Sequence, residues 1–258
     1  MNNNVEMIKL EHVSRVYDLG KGSRVVAVDD VSLSVYAEEF VCIVGPSGCG
    51  KSTLLYLIAC LDFPTSGQIL IEGQPLRAPN PRVGMVFQPD SVFPWLTVRR
   101  NIAFGPELRG LSAEQVDQIA NSYIRMVGLE GFEDTLPRQL SGGMKKRVDV
   151  ARAFANNPEI LLMDEPFGAL DAMTKERLQL ELLRIWDNER KTVLFVTHDL
   201  EEALVLGSRV VVMERAPNTI QTVIDVPFER PRDLLLKTSA EFQQYRRMLW
   251  DMLHVSAR

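Results

Sequence analysis

The nine residues GPSGCGKST at 45–53 repeat the spacing G-x-x-x-x-G-K-[ST] between a predicted strand and a predicted helix. Glycines there let the backbone wrap closely enough for its N–H groups to face phosphate oxygens. Lys51 adds a point charge beside the outer phosphates, and Ser52 a hydroxyl for Mg2+. Gly45, Pro46, Ser47, Gly48, Cys49, Gly50, Lys51, Ser52 and Thr53 are therefore all expected against a nucleotide. The metal of such a site needs a carboxylate, and ILLMDEP at 160–166 supplies one. Asp164 ends an apolar run and can face the ion, and Glu165 follows at once, where it can polarise an attacking water. Gln88 and His198 follow the apolar runs RVGMVF and TVLFVT, so both are expected to project from strand ends toward the nucleotide.

A second anion-binding signal stands at 140–148, LSGGMKKRV. A serine and two glycines open a basic helix there, and a helix start offers unpaired N–H groups and the positive end of its dipole. One small domain has little use for two separate phosphate cradles.

The elements that must hold these residues alternate. FVCIVG at 40–45 is apolar throughout, as expected of a strand buried on both faces, and a helix is expected over 51–61, ended by the turn residues DFPTSG. RVGMVF, EILLMDE, TVLFVT and RVVVME read as further strands, with helices near 172–188 and 200–206 between the last three. Strand and helix in alternation imply a mainly parallel α/β sheet covered by helices. Two runs before residue 45, VEMIKLEHVSRVY and RVVAVDDVSLSV, read as antiparallel strands lying against that core. From about 93 to 155 the rhythm breaks into helices, with a capping box at Ser112–Gln115 and apolar residues at helical spacing from Val116 to Val127. The tail carries one more helix, with TSAE at 238–241 as its capping box and Phe242, Tyr245, Leu249, Met252 and Leu253 as its packing stripe.

The 258 residues carry 29 basic and 34 acidic side chains, a net charge of −5, which speaks against a grip on nucleic-acid backbone. No apolar run nears the roughly 18 to 20 residues that span a bilayer, and MNNNVEMIKL lacks the apolar stretch of a signal peptide. A cytosolic chain, tied to a membrane only through a partner, is the expectation. Cys42, Cys49 and Cys60 have no metal-ligand spacing and fit a reducing compartment. Cys49 lies at a helix start, whose positive end is expected to lower its thiol pKa and make it the fastest of the three to alkylate.

Together the phosphate loop, Gln88, LSGGM at 140–144, ILLMDEP, GALD at 168–171 and His198 resemble the ATP-binding subunit of ABC transporters, over essentially the whole chain. The resemblance implies one nucleotide-binding domain across 1–258, built on the RecA-like P-loop NTPase fold. Residues 1–92 and 156–225 would form its antiparallel β-subdomain and core, 93–155 its inserted helical subdomain and 226–258 a helical tail. It further implies that two copies pair head to tail, each ATP lying between the phosphate loop of one and Ser141, Gly142, Gly143 and Met144 of the other. Glu165 would be the general base, assisted by Lys51 and His198. Ser52, Asp164 and Gln88 would serve Mg2+, Tyr17 would stack on adenine, and Asp171 would touch the second copy.

SVFPWLTVRRNIAFG at 91–105, with LSGGMKKRV and MDEPFGALDAMTK, is similar to the importer ATPases of the nitrate, sulfonate and taurine group. The substrate implied is a small anion or organic solute. The partners implied are transmembrane permease subunits, docked at Phe93, Trp95 and Leu96, and indirectly an external solute-binding protein; the place implied is the cytoplasmic face of the plasma membrane. An exporter or lipid-moving ATPase shares the catalytic motifs and is the alternative, ahead of an ABC ATPase acting on nucleic acid. Methionine at 144, where the family more often has glutamine, is expected to be tolerated. Asp149 departs from the small or apolar residue usual in the family, and a helix-surface ion pair with Lys145 and Arg152 is the expected accommodation. With the tail ending near Arg258, no regulatory β-domain of the kind found on some importer ATPases is expected.

Overall fold

The computed structural model describes residues 5–20, 22–168, 170–217 and 219–255. Ala169 of the GALD turn and the tail residues 256–258 lie outside the described residues.

Two sheets share the work. β1 (Glu6–Gly20) and β2 (Ser23–Tyr36) form a long antiparallel pair, which β4 (Ser66–Ile71) and the short β5 (Gln74–Pro75) extend in the order β2-β1-β4-β5. The second sheet contains β3 (Phe40–Val44), β6 (Val83–Val86), β7 (Ile160–Asp164), β8 (Thr192–Val196), β9 (Arg209–Met213) and β10 (Ile220–Asp225). Its order is β10-β9-β3-β8-β7-β6, parallel except for the edge strand β10.

The apolar runs are continuous because both faces of this sheet are covered. Phe40, Cys42 and Val44 of β3 point into one core, together with Trp186, Phe195 and Leu204. Val41 and Ile43 point into the other, against Leu54 and Ile58 and the inner residues Ile8, Val13 and Val28 of the antiparallel sheet. Of the helices, α1 (Lys51–Ile58) follows β3, α5 (Ala172–Glu189) follows β7 and α6 (Leu200–Leu206) follows β8. Between β6 and β7 run α2 (Val98–Leu108), α3 (Ala113–Met126) and α4 (Gly142–Ala155). The expected capping box opens α3: Ser112 Oγ accepts from the Gln115 amide, and the Gln115 side chain from that of Ser112.

Three details differ from the sequence reading. Helix α1 stops at Ile58, three residues early, because Cys60 turns into the left-handed region (φ 56°) and the amides of Cys60 and Leu61 fold back onto Leu57 and Tyr56. Strands β4, β5 and β10 are additional; β10 exposes alternate residues to solvent and so lacks the apolar run that marks a buried strand. In the tail helix α7 (Ala240–Val255) the cap is Ser239, not Thr238. The Phe242 amide donates to Ser239 Oγ, while the Thr238 hydroxyl is turned back to the Leu235 carbonyl. The stripe itself packs on this chain, with Phe242 and Leu249 fully buried and Phe228 meeting Phe242 and Tyr245.

Candidate functional site

All the motif residues of the core leave the same, carboxyl edge of the parallel sheet. Register explains why they meet. Val86 pairs with Met163, so Gln88, two residues past the first, comes abreast of Glu165, two past the second. Asp164 pairs with Val196, which brings His198 beside Glu165 from the other side. The contacts follow. Gln88 Nε2 lies 3.4 Å from Glu165 Oε2, and His198 Nδ1 lies 3.2 Å from the same oxygen. Glu165 itself adopts a left-handed backbone (φ 45°), an unfavourable conformation for a residue with a side chain, and one that recurs at functional positions. Its amide donates to Val196 and its carbonyl accepts from Gly168.

In the phosphate loop the glycines are required by the fold as well as by a ligand. A Cβ on Gly50 (φ 98°) would lie 2.1 Å from the Ala27 carbonyl oxygen, and one on Gly45 2.6 Å from that of Met213. Pro46, Ser47 and Gly48 form the exposed crest of the loop. The Lys51 ammonium lies across it and donates to the carbonyls of Gly45 and Pro46, each at 2.9 Å. Arg215, beyond β9, adds a bond to the Ser47 carbonyl at 3.3 Å that the sequence did not announce. Cys49 corrects the reading of its reactivity. It is 1% exposed, and burial, opposed by the nearby Lys51, holds its thiol above the ordinary range. The helix start does not lower it because the sulfur points into the core, away from water.

The metal carboxylate can be tested directly. Asp164 is fully buried at the end of β7, and its Oδ1 accepts from the Ser52 hydroxyl at 3.0 Å. Its Oδ2 is buried without a hydrogen-bond partner. Burial pushes the carboxyl up, Ser52 opposes this, and the charge of Glu165 adds to it. An orphaned carboxylate oxygen beside a hydroxyl is a hard-oxygen donor set that suits Mg2+. No group of three or more His, Cys, Asp or Glu side chains is placed to hold a metal among the described residues, so an ion here would take the rest of its ligands from elsewhere.

The second cradle is open. Ser141 caps α4, its Oγ accepting from the Met144 amide at 3.2 Å, which leaves the hydroxyl proton to donate elsewhere. Ser141 and Gly142 are exposed, and a Cβ on Gly142 would meet nothing within 4 Å. Gly142 has an ordinary helical backbone, so neither its conformation nor its packing in this chain calls for glycine.

Asp171 caps α5, accepting from the Thr174 amide at 3.0 Å on an exposed turn. One turn later Lys175 holds both Asp199 (2.8 Å) and the buried Glu202 (2.9 Å), which ties α5 to the start of α6, directly after His198. Tyr17 sits half-buried on β1, with its hydroxyl on Asp62 at 2.7 Å and the Arg15 guanidinium 4.5 Å from its ring centroid.

Phe93, Trp95 and Leu96 lie in the loop before α2. Asn101, fully buried, nails this loop down: it accepts from the Phe93 amide and donates to the carbonyls of Phe93, Leu96 and Thr97. Trp95 stacks on Phe93 (5.6 Å) and remains 72% exposed. A polar residue within a helix gives no sign in the sequence that it organises a loop, and Asn101 was missed for that reason.

Asp149 is a correction in part: the expected pair with Arg152 forms, at 2.8 Å, but not on the surface. It is 1% exposed and belongs to the inner face of α4, where Arg152 and Ser91 bind its Oδ1. Lys145 turns instead to Asp90, at 3.6 Å. Helical spacing alone does not say which face is inside.

Residues 28–168 match the family described as ABC transporter. The chain is 49% identical to an uncharacterized ABC transporter ATP-binding protein of Methanocaldococcus jannaschii, over 95% of this chain and 91% of that one. It is 46% identical to the nitrate import ATP-binding protein of Synechococcus elongatus, over 89% and 85% of the two chains. Among solved structures, a dimeric post-hydrolysis state of an ATP-binding cassette bound to ADP and Pi superimposes with a TM-score of 0.77 at 34% identity, covering 86% of this chain and all of that one.

Proposed function

This chain belongs to the ABC transporter family, and we propose that two copies pair head to tail, each completing the ATP site of the other, to energise import through a membrane permease. It is an ATPase. The observation that carries the pairing is Gly142, a glycine that its own chain does not need, next to a serine cap with a hydroxyl proton to spare. A dimeric cassette among the similar structures supports the same reading.

The residues divide the work as follows. Backbone N–H groups of residues 47–53, from the crest of the loop into the start of α1, receive the phosphates, with the Lys51 ammonium as counter-charge. Ser52 and Asp164, with Gln88, would hold Mg2+, which would supply positive charge to offset that of the phosphates. Glu165 accepts the proton of the attacking water, and His198 fixes the orientation of its carboxylate. Ser141 and the amides of Gly142 and Gly143 from the second copy bind the γ-phosphate from the opposite side, next to Met144. ATP thus closes the pair, and loss of the γ-phosphate opens it. Tyr17 stacks on the adenine, and Asp171 meets the second copy.

Phe93, Trp95 and Leu96 are the surface for the permease, an apolar group on a loop that Asn101 keeps rigid. No helix among the described residues is long and apolar enough to cross a membrane; similarity to a nitrate import subunit supports attachment through that partner, at the cytoplasmic face. Similarity to a nitrate import subunit supports a small anion or related solute as cargo. One variant tests the pairing. Glu165→Gln should retain ATP and Mg2+ without turnover, and should elute as a dimer with ATP and as a monomer without it. A monomer under both conditions would refute the reading.

A further inference from the structure

Where α4 packs on the end of β6 it carries a buried lysine. The Lys146 side chain is 3% exposed, and its ammonium donates to the carbonyl of Phe87 and, at 3.1 Å, to that of Gln88. These are the residues at which the chain leaves the sheet and sends out the Gln88 side chain. One turn along α4, Asp149 is buried as well. Its Oδ1 accepts from Ser91 Oγ at 2.6 Å and from Arg152 Nη2 at 2.8 Å. Its Oδ2 is 3.9 Å from the Lys146 nitrogen and accepts no hydrogen bond.

A buried ammonium beside a buried carboxylate ordinarily closes to contact, because each is costly to leave unpaired. Lys146 instead gives its hydrogen bonds to two neutral carbonyls and leaves Oδ2 waiting. The ammonium therefore lies between two sets of partners, with Oδ2 about an ångström beyond hydrogen-bond reach.

We propose that Lys146 is the positioning residue for Gln88, a two-place clamp that grips the backbone of residues 87–88 and can fall back onto Asp149 when that segment moves. Because α4 begins at Ser141, the clamp links the cradle presented to the second copy with the side chain that reaches into this copy's own site. Arg152 extends the link outward: it donates to the Ser91 carbonyl at 2.8 Å and lies 4.7 Å from the centroid of the Phe93 ring, which Trp95 covers. The inference rests on the reading of Gln88 as a residue that helps to hold Mg2+.

The test is steady-state ATP hydrolysis by the full chain carrying Lys146→Gln, Gln88→Ala, both together, and Lys146→Gln/Asp149→Asn, with a thermal midpoint for each. The last variant removes both charges of the Lys146–Asp149 pair while Arg152 keeps its bonds to Ser91, and it guards against a mere folding defect. Lys146→Gln should lower kcat about tenfold with the KM for ATP within about twofold of wild type, a loss of orientation rather than of binding. In the Gln88→Ala background it should cost less than about twofold more, since both act through one side chain. The paired variant should stay slow although folded. If it recovers the wild-type rate, Lys146 only neutralises Asp149 and the clamp is overturned. Losses that multiply between Lys146→Gln and Gln88→Ala overturn it too, leaving the role of Gln88 intact. An unchanged rate in Gln88→Ala alone removes the reading of Gln88, and the clamp with it.

Discussion

His198 Nδ1 stands 3.2 Å from Glu165 Oε2, the oxygen that Gln88 Nε2 approaches at 3.4 Å from the other side. One carboxylate oxygen thus faces two polar groups from two different strand ends, and their positions report on what lies between them. A base held in this way loses efficiency when either neighbour is removed, while phosphate binding rests on other residues. His198→Ala should therefore lower kcat by roughly 10- to 100-fold and leave the KM for ATP within about threefold. An unchanged kcat with a raised KM would assign His198 to binding alone.

Thiol labelling checks the account of the phosphate loop. Cys42, Cys49 and Cys60 are all buried, and burial raises the thiol of each. The native protein should alkylate slowly at all three at neutral pH, and rapidly after unfolding in urea. Fast labelling of Cys49 in the native protein, read by peptide mass, would restore the view that the helix start governs it.

Acid stability follows from Asp199. Burial raises its carboxyl, but the Lys175 ammonium at 2.8 Å and the amides of Glu201 and Glu202 outweigh that, so its folded pKa lies below the ordinary value. A carboxylate lowered by folding stabilises in full above its unfolded pKa, about 3.9, and the gain is lost as pH falls through the folded value. The urea midpoint of wild type should exceed that of Asp199→Asn at pH 6, with the gap closing below about pH 4. A gap that stays constant down to pH 3 would mean that the charge of Asp199 is not what stabilises.

The sequence made the chemistry legible wherever the functional residues are neighbours in the chain. Residues 45–53, Asp164 with Glu165, and Ser141 with its glycines carry their spacing openly, and the apolar runs place each at a strand end or helix start. Contacts between elements were hidden. Lys146, Asn101 and Lys175 look like solvent-facing polar residues on helices until packing turns them inward, toward Gln88, the loop before α2 and Asp199. Asp149 was misread as a surface residue for the same reason. The missed strand β10 pairs at a sheet edge, where alternation with solvent blurs the apolar signal.

The central claim is that the cradle at Ser141 serves the ATP of another copy, and mixing two inactive variants tests it most directly. Lys51→Ala disables the phosphate loop, and Ser141→Arg blocks the cradle while leaving that copy's own ATP binding intact. Each alone should hydrolyse ATP at a small fraction of the wild-type rate. In a head-to-tail pair of the two, one site inherits both faults and the other inherits none. Hydrolysis by the mixture should rise well above the sum of the separate rates. A mixture no faster than that sum, with the mixed pair shown to form, would contradict the account.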